Sequence, residues 1–168
     1  MSPSPLIRVL TAQDAAAFQS LRLHGLQNTP ESFGSSYEDE AGRTPTEIER
    51  MLDARPNAVF GAFAGSELVG MAGFATTAKA KQKHKGLLWG VFVHADWRGH
   101  DLGRKLTLAV IDHARAHVDT LHATVMAANL PARTLYLGLG FTVFGFERDA
   151  LRINGQSYDD ELLRLDLR

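Results

Sequence analysis

A loop rich in glycine and basic residues connects an apolar stretch to a helical pattern, and its chemistry suits an anion. The residues are Val93-His94-Ala95-Asp96-Trp97-Arg98-Gly99-His100-Asp101-Leu102-Gly103-Arg104-Lys105. A helix N-terminus has unpaired N–H groups and about half a positive charge. Gly99 and Gly103 allow close backbone approach, and Arg98, Arg104, Lys105 and His100 add positive charge. The loop therefore fits a pyrophosphate, although alone it is more typical of a glycine turn with solvated basic side chains.

A second group of chemically useful residues follows the next apolar stretch. Its pattern is Asn129-x-x-Ala132-x-x-Leu135-Tyr136-x-x-x-Gly140-Phe141. Asn129 is a typical helix cap and Gly140 a typical helix end. On periodicity alone, Tyr136 is a core aromatic on an apolar stripe. Its phenol, with a pKa near 10, is also protonated at neutral pH and able to donate a proton.

Together, the two motifs resemble the signature of the GNAT superfamily of acetyl-CoA-dependent N-acetyltransferases. The first has the form Arg/Gln-x-x-Gly-x-Gly/Ala and matches from Arg98 to Gly103, and the second matches at every position. The order of predicted elements is also similar to that of the family, over essentially the whole chain. The resemblance implies an acyltransferase that uses acetyl-CoA as cosubstrate, and no metal. It also implies direct attack by an amine, which the absence of cysteine fits.

The resemblance implies roles for individual residues. In the family, the fourth strand pairs with the pantetheine arm as an added strand would, and its N–H groups polarise the thioester carbonyl. Backbone amides from about Gly99 to Arg104 would hold the pyrophosphate, and Tyr136 would be the general acid. The implied cofactor-binding residues are Val91, Phe92, Val93, Arg98, Gly99, His100, Asp101, Leu102, Gly103, Arg104, Lys105, Asn129 and Tyr136.

The first motif departs from the family pattern at one position. Asp101 stands where the family has its central glycine. Aspartate is among the few non-glycine residues that tolerate a left-handed backbone, so the loop shape can be kept. Its carboxylate would repel a pyrophosphate unless it points away or pairs with Arg98, His100 or Arg104.

The sequence leaves the base that would deprotonate the amine open. Many relatives carry a glutamate on the fourth strand, whereas residues 87–93 include no ionisable side chain and have Trp89 at one position. Glu31 is the first candidate, because residues 30–37 resemble the acceptor-binding region of the family. Glu38 and His84 are alternatives, acting directly or through water, and the amine can also arrive already neutral.

Aromatic side chains in the same regions are candidates for binding the acceptor, namely Phe33, Tyr37 and Trp89. The hypothesis is acetyl transfer to an amine of a small molecule or a peptide. Two alternatives stay open. One is a non-catalytic acyl-CoA-binding module of the same fold, suggested by Asp101 and the missing strand glutamate. The other is an enzyme that acts on the amines of proteins.

Length and composition limit the possibilities. The 168 residues, 45% of them hydrophobic, predict one domain over 1–168 with a substantial core. The net charge of −1 gives no global field toward nucleic acid or an anionic membrane. The absence of cysteine excludes disulfides and thiolate metal sites. There is neither a signal peptide nor an 18-residue apolar stretch, so we expect a cytoplasmic protein.

The elements predict an α/β (α+β) fold whose mixed, mostly antiparallel sheet has about seven strands flanked by about four helices. Helices are expected from Thr11 to about His24 and from Thr44, Leu102 and Asn129, with residues 28–42 irregular. Strands are expected at 6–10, 58–64, 68–75, 87–93, 121–127, 141–153 and 157–167. The run 87–93 is predicted to be buried on both faces. The resemblance adds a splay between that strand and 121–127 that admits the cofactor.

Three further patterns in the sequence are not assigned a catalytic role. His113 and His117 have metal-pair spacing, but no third ligand is evident, so they are expected to face solvent. The lysines of residues 79–85 form a solvated loop, since no aromatic side chains alternate with them. The C-terminal hairpin offers a possible homodimer edge, which the acidic residues 159–161 could equally blunt.

Overall fold

Seven strands form one mixed sheet in the computed structural model, which describes residues 3–168. The spatial order is β1-β2-β3-β4-β5-β7-β6, and only the β4–β5 pair is parallel. The predicted mixed, mostly antiparallel sheet is therefore confirmed. The strands are β1 (Leu6–Val9), β2 (Ala58–Ala64), β3 (Glu67–Thr76), β4 (Lys85–Val93), β5 (Thr120–Met126), β6 (Thr142–Ile153) and β7 (Gln156–Asp166).

Helices cover the two faces of the sheet unequally. They are α1 (Ala15–Asn28), α2 (Tyr37–Glu40), α3 (Pro45–Asp53), α4 (Leu102–Arg115) and α5 (Leu130–Gly138). One face carries α4 and α5 over a large core, and α1 and α3 pack over a second core on the other face, against β3 and β2. In the part of the chain that the structure describes, no helix packs extensively on β7 or β6 at that second face. No helix among the described residues is long and apolar enough to cross a membrane.

Local sequence signals explain most helix ends. The Thr44 hydroxyl accepts from the Glu47 N–H, and the Glu47 carboxylate accepts from the Thr44 N–H, as the capping box predicts. Gly140 follows α5 with φ 101°, the left-handed conformation typical just after a helix. The sequence missed α2, because its four residues show no apolar period; Ser36 caps it instead. It also ended α1 four residues before its observed end at Asn28.

The prediction that β4 is buried on both faces is wrong. Leu88 and Phe92 are buried in opposite cores, but Leu87 is 42% exposed. Leu87 lies opposite His122 of β5, on the part of the sheet that α1 and α3 do not reach. A continuous apolar run shows that the residues are hydrophobic, but it does not show how far the helices that cover the sheet extend.

Strands β4 and β5 pair only at their beginnings. Three registered pairs join residues 85–87 to residues 120–122, and the remaining residues of the two strands diverge. The predicted splay between these strands is present. It opens a cleft at their carboxyl ends.

A bulge in β4 lies beside this divergence. The register between β3 and β4 shifts near Gly90, whose φ is +63°. A side chain here would be strained, and its Cβ would lie 3.0 Å from Nη1 of Arg22. Just before the bulge, the indole of Trp89 lies over Gly73, where an added Cβ would come within 2.2 Å of the ring.

Candidate functional site

The cleft between β4 and β5 has a volume of about 530 Å³. The end of β4, the end of β5, α5 and the segment after α1 form its walls. Of the residues predicted to hold a cofactor, five line it: Val91, Phe92, Val93, Arg98 and Asn129. A narrow, mostly apolar groove beside an unpaired strand suits an extended ligand with amide groups, because the strand offers free N–H and C=O groups.

The N-terminus of α4, at Leu102, follows the cleft residue Arg98 after three residues. Gly99 has φ +83°, and the first N–H that bonds back into the helix is that of Lys105, to Asp101. Within residues 3–168, the N–H groups of residues 99–104 donate to no other group. Such a row of free donors at the start of a 14-residue helix attracts a multiply charged anion.

Asp101 has the left-handed backbone that its position requires. Its φ and ψ are 62° and 20°, it precedes α4, and its side chain makes no capping hydrogen bond. Among the described residues, none of the salt bridges involves Asp101, so it does not neutralise Arg98, His100 or Arg104. The backbone shape of the motif is kept, and an exposed carboxylate remains beside the free N–H groups.

Three cations around the α4 N-terminus are available to a ligand. Arg98, Arg104 and Lys105 are exposed, and none forms a salt bridge with any residue in the described part of the chain. His100 has Nδ1 3.2 Å from the carbonyl oxygen of Trp97, and its ring packs near the indole of that residue. The positive field is therefore local, and it coincides with the free N–H groups.

Helix α5 and its cap place Asn129 in the cleft wall, whereas Tyr136 lies further along the helix in the core and is not among the residues that line the cleft. The Asn129 side chain caps the helix by accepting from the Ala132 N–H at 3.4 Å. Tyr136 lies one turn beyond Ala132, is only 7% exposed, and packs near the ring of Phe141. Burial raises the pKa of Tyr136 from 10.0 to about 12. The phenol therefore stays protonated at any physiological pH.

A second cavity, of about 590 Å³, lies on the other side of the segment that follows α1. Phe33, Tyr37 and Glu38 line it, together with the tip of the β6–β7 hairpin at residues 151–154. Phe33 is buried, whereas Tyr37 is half-buried. Trp89, the third predicted acceptor contact, lies under Arg22 in the second core and lines neither cavity.

The three base candidates occupy different places. Glu31 is exposed on the rim of the cleft, in a short 3-10 turn at Pro30–Ser32. Glu38 is exposed in the second cavity. His84 precedes β4, at the opposite end of that strand from the cleft, so it is too distant to act there.

A buried ion pair that the sequence did not reveal lies under the β4 bulge. Arg22 donates from Nε and Nη2 to the two Glu40 carboxylate oxygens at 2.6 and 2.9 Å. Its Cζ lies 5.3 Å from the ring centroids of both Phe33 and Trp89, and its Nη1 is buried without a partner. The two residues are 18 positions apart, and a buried arginine inside α1 breaks the apolar pattern without naming its partner.

Asp160 is a second buried charge that the sequence placed wrongly. The acidic residues 159–161 suggested a blunted, exposed strand edge, but β7 lies between β5 and β6, and β6 is the edge strand. Asp160 is 8% exposed, while Glu161 accepts from Nε of Arg133 on α5. Burial, followed by the charges of Glu147 and Asp159, raises the pKa of Asp160. Strand order, which no local signal contains, decides this environment.

The histidine pair on α4 differs from expectation. His113 is half-buried, with Nε2 2.7 Å from the carbonyl oxygen of Pro56 and its ring edge-on to Phe74. It therefore does not simply face solvent, as the sequence suggested. Its nearness to Pro56 links α4 to the turn before β2.

Comparison with known proteins agrees with this geometry. The model of the acetyltransferase (GNAT) family matches residues 23–141, which include both motifs and every cleft residue except Tyr158. No protein of curated function matches the chain closely enough in sequence to serve as a relative.

Solved structures share the fold over nearly the whole chain. A GNAT-family acetyltransferase from Streptococcus pneumoniae is 23% identical, with 96% of this chain and 98% of that chain covered and a TM-score of 0.85. The protein yncA from Salmonella typhimurium, solved with its cofactor acetyl-CoA, is 22% identical. The match covers 99% of this chain and 95% of that chain, with a TM-score of 0.85. A ribosomal-protein-alanine N-acetyltransferase from Brucella melitensis is 23% identical. The match covers 96% of this chain and 99% of that chain, with a TM-score of 0.80.

Proposed function

We propose that this chain, which belongs to the GNAT acetyltransferase family, transfers an acetyl group from acetyl-CoA to an amine of a small molecule or peptide. The observation that carries the proposal is the meeting of two features. The cleft between β4 and β5 ends beside Arg98, and the unpaired N–H groups of residues 99–104 begin directly after it. An extended thioester with a pyrophosphate at its far end fits both.

The residues present suit each part of acetyl-CoA, which supplies the thioester for the reaction. The N–H row of residues 99–104, with Arg98, Arg104 and Lys105, would bind the pyrophosphate. The unpaired backbone of Val91 to Val93 would bind the pantetheine arm in the manner of an added strand. An N–H of the same strand would polarise the thioester carbonyl and stabilise the negative charge that develops on its oxygen.

Tyr136 is the proposed general acid. When the amine attacks the thioester carbon, the carbon–nitrogen bond forms and the carbon–sulfur bond breaks, and the departing thiolate needs a proton. A phenol with a pKa of about 12 is always protonated in the working range and can donate to sulfur. Its position one turn along α5 from the cleft-lining Ala132 supports this role.

The acceptor is proposed to enter from the second cavity. The segment from Pro30 to Phe33 separates that cavity from the cleft and contributes residues to both. Phe33 and Tyr37 would offer apolar and aromatic contact to the body of the acceptor. Its amine would then reach the thioester past the 3-10 turn at Pro30–Ser32.

The test is titration calorimetry of the whole chain with acetyl-CoA, followed by a rate assay with a panel of amino acids, diamines and a peptide with a free N-terminus. We expect binding in the micromolar range and release of free thiol with at least one amine. Absence of acetyl-CoA binding would overturn the proposal. Binding without turnover across the panel would instead favour a non-catalytic acyl-CoA-binding module.

A further inference from the structure

Asp160 lies on β7 directly across from a residue of the cleft wall. In the antiparallel register, it pairs with Met126 on β5 and with Glu147 on β6. Met126 lines the cleft. Directly opposed residues have Cβ atoms about 4.5–5.5 Å apart, so Asp160 is adjacent to the cleft.

The side chain of Asp160 faces the acceptor side of the sheet. Residues alternate along a strand, and Leu163 of β7 is buried in the core beneath α4 and α5. Asp160 therefore points to the opposite face, together with Tyr158, which lines the cleft. The 3-10 turn at Pro30–Ser32 packs against β5 on this side. Asp160 therefore faces away from the core that contains Tyr136, so the two side chains lie toward opposite faces of the sheet.

Asp160 lacks the partners that structural carboxylates in this chain have. Glu40, which is similarly buried, holds Arg22, and Glu161 holds Arg133. In the part of the chain that the structure describes, no hydrogen bond or salt bridge reaches the Asp160 carboxylate, although the residue is only 8% exposed. Its oxygens are not among the fully buried, unpartnered side-chain atoms, so they keep some contact with solvent. A carboxylate that is mostly enclosed, is held by no partner and still reaches water can exchange a proton there.

The charged groups around Asp160 make it a better base. Burial is the main cause that raises its pKa, and Glu147 on β6 and Asp159 on β7 add to the effect. The neighbour on β5, Met126, is apolar and contributes no charge. A carboxylate whose pKa is raised takes a proton more readily in its ionised form.

We propose that Asp160 is the general base for acetyl transfer, a role that rests on the function proposed above. The ammonium group of the acceptor gives one proton to the Asp160 carboxylate, directly or through a water molecule. The nitrogen lone pair then attacks the thioester carbon, the carbon–sulfur bond breaks, and the thiolate takes a proton from Tyr136. The nitrogen of the new amide loses its second proton to solvent, and the Tyr136 phenolate takes one proton back from solvent. The products are the N-acetyl amine and the free thiol, and Asp160 returns its proton to solvent.

The experiment compares the wild type with Asp160→Asn, using the amine of the panel that the wild type acetylates fastest. We expect kcat/KM to fall by about 10²- to 10³-fold, as for loss of a general base. The remaining rate of Asp160→Asn should rise about tenfold per pH unit as the pH increases above neutrality. The reason is that the fraction of acceptor amine that is already deprotonated rises by the same factor, so no base is needed. Acetyl-CoA affinity by calorimetry should stay within about twofold, since Asp160 is not among the residues proposed to bind the cofactor.

Stability separates this catalytic role from a structural one. Because the folded-state pKa of Asp160 is raised, its ionised form destabilises the fold as pH rises through that pKa. Asp160→Asn should therefore raise Tm at neutral pH, and the difference should vanish below the ordinary aspartate pKa of about 3.9. A residue kept for folding would lower Tm when replaced.

Glu147→Gln is the matched control. It removes the negative charge across the strand from Asp160 without touching the cleft. We expect full activity at neutral pH and an acid limb of the pH–rate profile moved to lower pH, because one cause of the raised Asp160 pKa is gone. An Asp160→Asn enzyme with unchanged rate and pH profile would overturn the assignment of Asp160 as the base but not the proposed function. A wild type that turns over no amine would overturn the proposed function and this assignment with it.

Discussion

The left-handed backbone of Asp101 combines two effects that a pair of variants separates. The left-handed conformation is less favourable for aspartate than for glycine, and the carboxylate also repels an anion. Asp101→Gly should relieve both, and Asp101→Asn only the charge. Removal of a surface charge contributes on the order of 1 kcal/mol, so both variants should bind acetyl-CoA about three- to tenfold more tightly in calorimetry. Weaker binding by Asp101→Asn would show instead that the carboxylate organises the loop.

The raised pKa of Tyr136 predicts both a catalytic and a stability phenotype for Tyr136→Phe. Turnover should fall at least tenfold with acetyl-CoA affinity kept, because only proton donation is lost. A pKa of 10.0 unfolded and about 12 folded means that the contribution to stability is complete below pH 10 and lost as pH rises toward 12. Denaturant unfolding should show wild type losing about 2–3 kcal/mol relative to the variant across that window. A constant difference would contradict the buried phenol.

Residues whose environment is local are the ones that the sequence predicted well. The capping pair Thr44 and Glu47 and the turn at Asn154-Gly155 depend on neighbours a few positions away, and both were confirmed. Arg22 and Asp160 are different. Their surroundings come from other strands and helices, so no local pattern could show that each is buried.

At the scale of elements, the β4 bulge connects the buried ion pair to the cleft. Gly90→Ala would place a Cβ at φ +63° and 3.0 Å from Nη1 of Arg22. We expect a loss of about 1–2 kcal/mol in denaturant unfolding from the backbone conformation alone. Acetyl-CoA affinity should also fall, because Val91 to Val93 follow the bulge directly.

Gly42→Ala provides the comparison for that substitution. An added Cβ at Gly42 meets no atom within 4 Å, and its backbone is not left-handed. Its stability should change by no more than about 0.5 kcal/mol. If the two substitutions lowered the free energy of unfolding equally, the bulge at Gly90 would not be the cause of the loss.

Elements were predicted where a period or a cap marks them. The six longer helix and strand patterns after residue 84 matched the observed elements in order, and the hairpin turns predicted which strands pair. The helix α2 and the exposure of Leu87 were not predictable, because a four-residue helix has no period and the extent of the covering helices is a tertiary property.

For the whole molecule, a net charge of −1 leaves the local cations to attract an anionic cosubstrate. Screening lengths fall from about 10 Å at 0.1 M salt to about 3 Å at 1 M. Acetyl-CoA affinity should therefore weaken several-fold over this range, and Arg104→Gln should weaken binding and flatten the salt dependence. Calorimetry at several salt concentrations tests this. A salt-independent affinity would mean that the backbone N–H groups act without the side chains.

The global arrangement was predictable chiefly through resemblance. Hydrophobic patterns and turns indicate a mixed sheet, but the parting of β4 from β5 follows from no pattern in either strand. The two motifs lie in one site because the order of strands in the sheet places the end of β4 beside α5.

The packing of the two tryptophans gives this protein built-in optical probes. Trp89 lies over Gly73 next to the bulge, and Trp97 lies just before the loop of free N–H groups, near His100. The chain has no others, so replacing either by phenylalanine leaves a single fluorophore that marks one region. Indole emission responds to local polarity and to nearby charge. Rapid-mixing fluorescence of the two single-tryptophan forms would therefore resolve in time which of the two substrates arrives first.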